Sequence, residues 1–311
     1  MAGLIALTGA TGFLGQRLAP HLLAQGWSLR ALARRPPIEG EARKDDLEWV
    51  LGDLADAGAL ARLAAGAQVF VHLAGAIMAR DRAGFLAVNE AGAAAAARAA
   101  KAVGARFVLV SSLAARQPQL SSYAFSKHAG ELAAREVLGG SLTIIRPPAV
   151  YGPGDRATLG LFQLAAHAPI LPYPGAPTTR LALAHVDDVA AEIAEAARRD
   201  EDGRFALGGH RPQGYGWREI WRTARSAFNR NAPLMPLPVS LIHAAGGIAD
   251  LASRLTGRPA IFGAGKAREL THPDWAVSPS EMAPWRSGPM GRSLDQGFTE
   301  TAAWYRLKGW L

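Results

Sequence analysis

The sequence predicts an α/β fold: a doubly wound parallel sheet with helices on both faces and a smaller, irregular C-terminal region. Three observations carry this expectation. Short β-branched or Leu-rich runs alternate with Ala-rich helical stretches as far as residue 150, which is the pattern of repeated βαβ units. A Gly-rich stretch, "TGATGFLG", follows the first apolar run directly. After Arg146 the texture changes to "RPPAVYGPGD" and "APILPYPGAPTTR", whose prolines cannot continue strands or helices.

Strand character is expected from Leu4 to Thr8, Ser28 to Ala33, Glu48 to Leu51, Gln68 to Leu73, Arg106 to Ser111 and Ser141 to Arg146. Helices are expected between them, near 13–25, 57–65, 82–103 and 122–138. The longest contains "AVNEAGAAAAARAAKAVG", rich in the best helix former and ending at Gly104, a suitable C-cap. The chain is expected to return to the sheet through "LALAHVDDVAAEIAEAARR" and "GRFALGG". The predicted division is therefore discontinuous: residues 1–150 with about 181–210 form the cofactor domain, and about 151–180 with 211–311 the substrate region.

With 49% hydrophobic and 19% charged residues over 311 positions, the chain can bury a large core and shows no mark of disorder. The absence of Cys excludes disulfides, thiol catalysis and thiolate metal sites. The first strand-like run, "GLIALTG", begins at Gly3, so no secretion signal is expected. Apolar stretches near residues 59–77 are interrupted by Arg62 and Gln68, so no spanning helix is expected and the protein is expected in the cytoplasm. A net charge of +8 raises the question of a polyanionic partner. Yet the Arg residues are scattered, pairing only as Arg34-Arg35 and Arg198-Arg199, without a basic stripe interleaved with aromatics. Nucleic acid is not expected.

In "TGATGFLG", Gly9, Gly12 and Gly15 stand between a strand and a helix. Gly9 would permit the tight turn, Gly12 the approach of backbone N–H groups to a pyrophosphate, and Gly15 close packing of helix on sheet. The second strand ends in "ALARRP", where an acidic residue would accept the ribose 2′-hydroxyl of NAD. Arg34 and Arg35 suit a 2′-phosphate instead, so NADP(H) is expected over NAD(H). A solvated Arg pair at a strand end is the plainer alternative.

"SSYAFSKHAGE" places Tyr123 four residues before Lys127, and these positions share one helix face. An ammonium near a phenol favours the phenolate, so such a Tyr can exchange a proton with a substrate oxygen. Ser111 and Ser112 end the strand "RFVLV" at the sheet edge where open α/β sheets bind ligands. Chance can also supply this Tyr-Lys spacing, so its neighbours must discriminate.

Those neighbours carry a resemblance. "TGATGFLG", "GDL" at 52–54, "HLAG" at 72–75, the Ser pair, Tyr123 with Lys127, "RPPAVYGPGD" and "HVDDVA" stand in the order and rough spacing of the extended short-chain dehydrogenase/reductases. The chain resembles that family over about residues 1–210. The resemblance implies a Rossmann fold and an NAD(P)-dependent oxidoreductase, with Tyr123 as general acid/base, Lys127 as its tuner and ribose ligand, and Ser112 as the active-site hydroxyl. It implies cofactor contacts at Thr8, Gly9, Gly12, Phe13, Leu14, Gly15, Asp53, Leu54, Ala74, Gly75 and Pro147, beside Arg34 and Arg35. Asn89 falls where relatives keep a structural or relay Asn, with plain helix packing an equal reading. His185, Asp187 and Asp188 invite a metal reading, but a helix cap by one of the Asp residues suits them better, and the family implies no metal. Homodimers through helices flanking the sheet are common in that family.

Family members acting on nucleotide sugars often carry an Asn three residues after the Arg, whereas Ala149 stands here. The "RPxxVYGP" form is nearer the 3β-hydroxysteroid dehydrogenase side, whose substrates are hydrophobic. The expected function is therefore NADPH-dependent reduction of a keto group, or the reverse oxidation, on a lipid-like molecule such as a steroid-like or 3-oxo-sphingoid or ceramide-like compound. A nucleotide-sugar epimerase or dehydratase is the alternative enzyme, and a non-catalytic NADPH-binding scaffold the alternative of another class. In "LPVSLIHAAGGIADLASRL", Leu241, Ala245, Ile248, Ala252 and Leu255 form a helical stripe. It suits a helix packed on its own domain, or a lid or membrane-surface face.

Overall fold

The computed structural model describes residues 3–35, 46–175, 178–256, 262–285 and 291–311. The chain forms two compact units, Met1–Arg146 with Ala190–Phe205, and Pro147–Val189 with Ala206–Leu311. The first contains strands β1 (Leu4–Thr8), β2 (Ser28–Ala33), β3 (Leu47–Leu51), β4 (Val69–His72), β5 (Arg106–Val110) and β6 (Thr143–Arg146). Between them lie helices α1 (Gly15–Ala24), α2 (Ala57–Ala64), α3 (Arg82–Asn89), α4 (Ala91–Ala102) and α5 (Ser122–Leu138). Onward run β7 (Ala149–Tyr151), α6 (Leu159–His167), β8 (Leu171–Pro174), β9 (Arg180–Leu181), β10 (Leu183–His185), α7 (Val186–Arg198) and β11 (Gly203–Ala206). Last come α8 (Trp217–Ser226), β12 (Leu234–Leu237), α9 (Val239–Thr256), α10 (Ala264–Thr271), β13 (Asp274–Trp275) and α11 (Leu294–Leu307).

The main sheet has seven strands in the order β11-β6-β5-β4-β1-β2-β3, and its pairings from β3 through to β6 are parallel. This is the Rossmann arrangement, whose strand order reverses between β1 and β4. Strands covered on both faces read as continuous apolar runs; accordingly Ile5, Ala6 and Leu7 are fully buried, as are Val69, Phe70 and Val71. Helix α4 meets this core through Ala93, Ala96, Ala97 and Ala100. Methyl-sized side chains let it approach closely while costing no rotamer entropy.

Two sequence expectations are modified. The helix expected over 82–103 is divided at Glu90 into α3 and α4. Here α5 comes so near that a Cβ on Gly130 would lie 2.2 Å from the Asn89 carbonyl oxygen, an approach that local propensity does not encode. The return to the sheet is made by β11, whereas β10 pairs in parallel with β7 in a separate two-stranded sheet.

The second unit is built around aromatic rings. Phe162 of α6 meets Phe298 and Tyr305 of α11 at centroid distances of 5.0 and 5.3 Å, and Trp310 stacks on Tyr305. Helix α11 is started by a Ser293–Gln296 capping box. The terminal Trp residues thus serve the unit's own core. The Leu241–Leu255 stripe does not: α9 packs inward through Ile242 and Gly246, while Leu241, Ile248 and Leu255 are exposed. No helix among the described residues is long and apolar enough to cross a membrane.

Candidate active site

The Gly-rich turn joins the end of β1 to the start of α1. Gly9 adopts φ +79, and a Cβ there would lie 2.7 Å from the Ala74 nitrogen; only glycine suits both demands. Gly15 is equally constrained, since its Cβ would sit 2.1 Å from the Gly9 carbonyl oxygen. Gly12 differs: it is exposed, and its Cβ would meet only the Gly9 oxygen at 3.2 Å. The first N–H groups of α1 receive no side-chain cap from Leu14. A bare Gly surface in front of an uncapped helix start fits a pyrophosphate, with Phe13 and Leu14 half-buried beside it.

Thr8 is placed differently from a direct ligand. Its side chain is fully buried, accepts the Ala74 N–H at 3.2 Å and bonds His72 Nδ1 at 2.9 Å. Burial, with Lys127 adding to it, pushes the His72 pKa down to about 3. A hydroxyl has one donor and two acceptor sites, so the tautomer of the neutral His72 sets which partner donates in this bond. The pair fastens the ends of β1 and β4 beneath the turn.

At the end of β2, Arg34 and Arg35 are exposed, and Arg34 lines a cavity of about 240 Å³ with Gly52, Asp53 and Asp56. Both carboxylates have local work: Asp53 accepts the N–H groups of Ala55 and Asp56, and Asp56 caps α2 through Ala59. Leu54 turns inward, against Gly92 of α4.

Helix α5 is started by Ser121, whose hydroxyl accepts the Ala124 N–H. Tyr123 lies in the first turn, edge-on to Phe85 at 6.1 Å. One turn on, Lys127 donates to the Val110 carbonyl at 2.8 Å, which ties α5 to the end of β5. A Cβ on Gly75 would lie 3.5 Å from Lys127 Nζ, so the glycine keeps the loop after β4 close to the ammonium. Burial lowers the Lys127 pKa to about 8, with Glu131 pulling the other way. Ser112 caps the 3-10 turn Leu113–Arg116 by accepting the Ala114 N–H, and that turn packs on α5.

The two serines have separate tasks. Ser111 donates to Glu131 Oε1 at 2.5 Å, and Arg146 clasps the same carboxylate through Nε and Nη2 at 2.8 and 2.6 Å. All three are buried. Glu131 and the role of Arg146 escaped the sequence reading, although Glu131 follows Lys127 by four residues on the same face. Asn89 accepts the Ala76 N–H, donates to the Ala76 carbonyl and to Ser126 Oγ, and Ser126 in turn donates to the Tyr123 carbonyl. Its amide is fully engaged in holding the post-β4 loop to the Tyr-bearing turn. Pro147 opens the second unit.

In the motif "HVDDVA", His185 to Val189 belong to that second unit. Helix α7 starts at Val186, so Asp187 and Asp188 lie in its first turn, where carboxylates favour the positive end of the dipole. Neither takes the cap position; Asp188 accepts from the backbone and guanidinium of Arg292 at 2.9 and 3.0 Å.

The model of the NAD dependent epimerase/dehydratase family matches residues 5–208. A ceramide reductase of Caulobacter vibrioides is 50% identical over 309 residues, covering 99% of this chain and 96% of the relative. Among solved structures, the Bordetella bronchiseptica enzyme WbmH in complex with NAD+ superposes with TM-score 0.75 at 18% identity, covering 99% of both chains. The UDP-N-acetylglucosamine 4-epimerase of Bacillus cereus does so with TM-score 0.72 at 18% identity, covering 98% of this chain and all of the other. These last two share the fold. The chain belongs to the NAD dependent epimerase/dehydratase family and is an NAD(P)-dependent oxidoreductase of the extended short-chain dehydrogenase/reductase type.

Proposed function

We propose that the protein is an NADPH-dependent reductase of a keto group on a ceramide-like lipid. The observation that carries the substrate class is the 50% identity to a ceramide reductase along almost the whole chain. Ala149, in place of the Asn of nucleotide-sugar enzymes, supports the same side of the family. The preference for NADPH is supported by Arg34 and Arg35 directly after β2, with no acidic residue at that strand end.

The turn from Gly9 to Gly15 would hold the pyrophosphate, Arg34 and Arg35 the 2′-phosphate, and Lys127 the nicotinamide ribose. When bound, NADPH supplies the hydride. Ser112 donates a hydrogen bond to the substrate carbonyl oxygen and favours the charge that grows there. Tyr123 gives its phenolic proton to that oxygen, and the Lys127 ammonium stabilises the phenolate left behind. Glu131, locked by Arg146 and Ser111, keeps a negative charge behind Lys127.

The test is NADPH oxidation with 3-oxo-ceramides, shorter ketones and UDP-sugars as three substrate sets. Turnover confined to the long-chain ketones is expected. Turnover of UDP-sugars with tightly retained NAD(H) would replace this reading by an epimerase, and NADPH binding without turnover of any set by a scaffold. Tyr123→Phe is expected to lower kcat by about 100-fold or more while leaving the Kd for NADPH within a few-fold, measured by fluorescence titration.

A further inference from the structure

Helix α9 (Val239–Thr256) carries its apolar side outward. Leu241, Ile248, Leu251 and Leu255 are 58%, 69%, 58% and 80% exposed. At helical periodicity they fall into one sector with Ala244, Ala245 and Ala252, which are exposed as well. The opposite side does the packing: Ile242 is buried, and a Cβ on Gly246 would lie 2.9 Å from that of Ala267 in α10. An amphipathic helix ordinarily buries its apolar sector, and a continuous exposed one marks a contact surface.

Size and charge select the occupant. At about 1.5 Å per residue and roughly 10 Å of width, the stripe from Leu241 to Leu255 covers about 220 Å². A stable protein interface needs about 800 Å² from each partner, so a second copy of this chain is not held by the stripe alone. Shallow insertion into a lipid surface needs no matching partner surface. Within residues 239–271 the sequence has Arg254, Arg258, Lys266 and Arg268 against Asp250 and Glu269. Asp250 accepts the Ala264 N–H, and Glu269 pairs with Lys266 at 3.2 Å, so the basic excess of this stretch rests on its arginines. The net charge of +8 adds attraction to an anionic surface.

We propose that the outer face of α9 docks onto an anionic phospholipid bilayer, with Leu241, Ile248, Leu251 and Leu255 inserted at the headgroup boundary. The proposal stands on the stripe and its charge, independent of the substrate reading.

Co-sedimentation of the full chain with phosphatidylcholine vesicles, with and without phosphatidylglycerol, tests it without any turnover. Binding to the anionic vesicles is expected, weakened by salt. The triple variant Ile248→Glu, Leu251→Glu, Leu255→Glu is expected to bind about ten-fold more weakly with an unchanged melting temperature, since these side chains are exposed. Leu255→Glu and Leu307→Glu, at two residues each 80% exposed, add one negative charge apiece on α9 and α11; the first is expected to bind more weakly and the second as wild type. Absence of vesicle binding, or binding indifferent to the triple variant, overturns the proposal. So does a dimer in sedimentation velocity that the triple variant converts to monomer, which would make the stripe a self-association face.

Discussion

In the proposed mechanism Lys127 acts as an ammonium, in a place where burial works against its charge. Its pKa is lowered to about 8, by burial first, with Glu131 opposing. The turnover that depends on its ammonium is therefore expected to fall above about pH 8, as an alkaline limb in kcat/KM. Glu131→Gln removes the opposing charge and is expected to move that limb to lower pH, read in a pH-rate profile of the folded fraction. The same variant leaves Arg146 buried without its counter-charge and is expected to cost about 3–5 kcal/mol of stability, read by denaturant unfolding. The sign for Lys127 itself is opposite. Its folded pKa lies below the unfolded value of 10.5, so holding its charge costs stability below pH 8 and the cost fades as pH rises from there to 10.5. Lys127→Met is expected to be inactive yet to melt higher than wild type at pH 7, with the difference shrinking between pH 8 and 10.5. Tyr123 and Lys127 were readable because a helix face follows from spacing four. Glu131 and Arg146 were not read as partners, because they lie on different elements, α5 and β6, and only packing aligns them.

The Gly-rich turn divides its labour among three glycines, and the division can be measured. Gly9→Ala combines a φ of +79 with a contact of 2.7 Å to the Ala74 backbone, and Gly15→Ala meets the Gly9 oxygen at 2.1 Å. Both are expected to lower the melting temperature of the cofactor-free protein. Gly12→Ala meets nothing closer than 3.2 Å and is expected to spare that melting temperature while weakening dinucleotide binding by about ten-fold or more, because the added methyl would occupy the ground proposed for the pyrophosphate. Calorimetry and cofactor titration separate the two outcomes. At the neighbouring strand end, Arg34→Ala with Arg35→Ala is expected to raise KM for NADPH more than for NADH, as loss of a 2′-phosphate contact requires. Strand, turn and helix were all foreseeable here, since the φ demand and the apolar run are local. The division of the 82–103 helix was not; it falls beside the close approach of α5 to Asn89 at Gly130, a contact between residues far apart in sequence.

At the level of the whole molecule, each unit has its own core. The first closes around Phe70, Phe107 and the alanines of α4. The second depends on α11, whose Tyr305 is fully buried and donates its hydroxyl to the Asp155 carbonyl. Tyr305→Ala is expected to cost about 3–5 kcal/mol, read as a lower denaturation midpoint. The Pro- and Gly-rich texture after Arg146 stands at the start of the second unit, and such composition interrupts regular elements. It could not show that β10 pairs with β7, since strand pairing depends on which edges the fold brings side by side.

Much of the site was written in local patterns: three glycines between a strand and a helix, a Tyr and a Lys on one helix face, and a Ser pair at a strand end. Such features need only a few neighbouring residues, so their spacing carries them. Long-range placement made the rest, from the Thr8–His72 tie under the turn to the Ser111–Glu131–Arg146 clasp behind Lys127. It also settled which way α9 faces. A helical stripe is a property of sequence, but whether it meets the core or the solvent depends on what the folded chain packs against it.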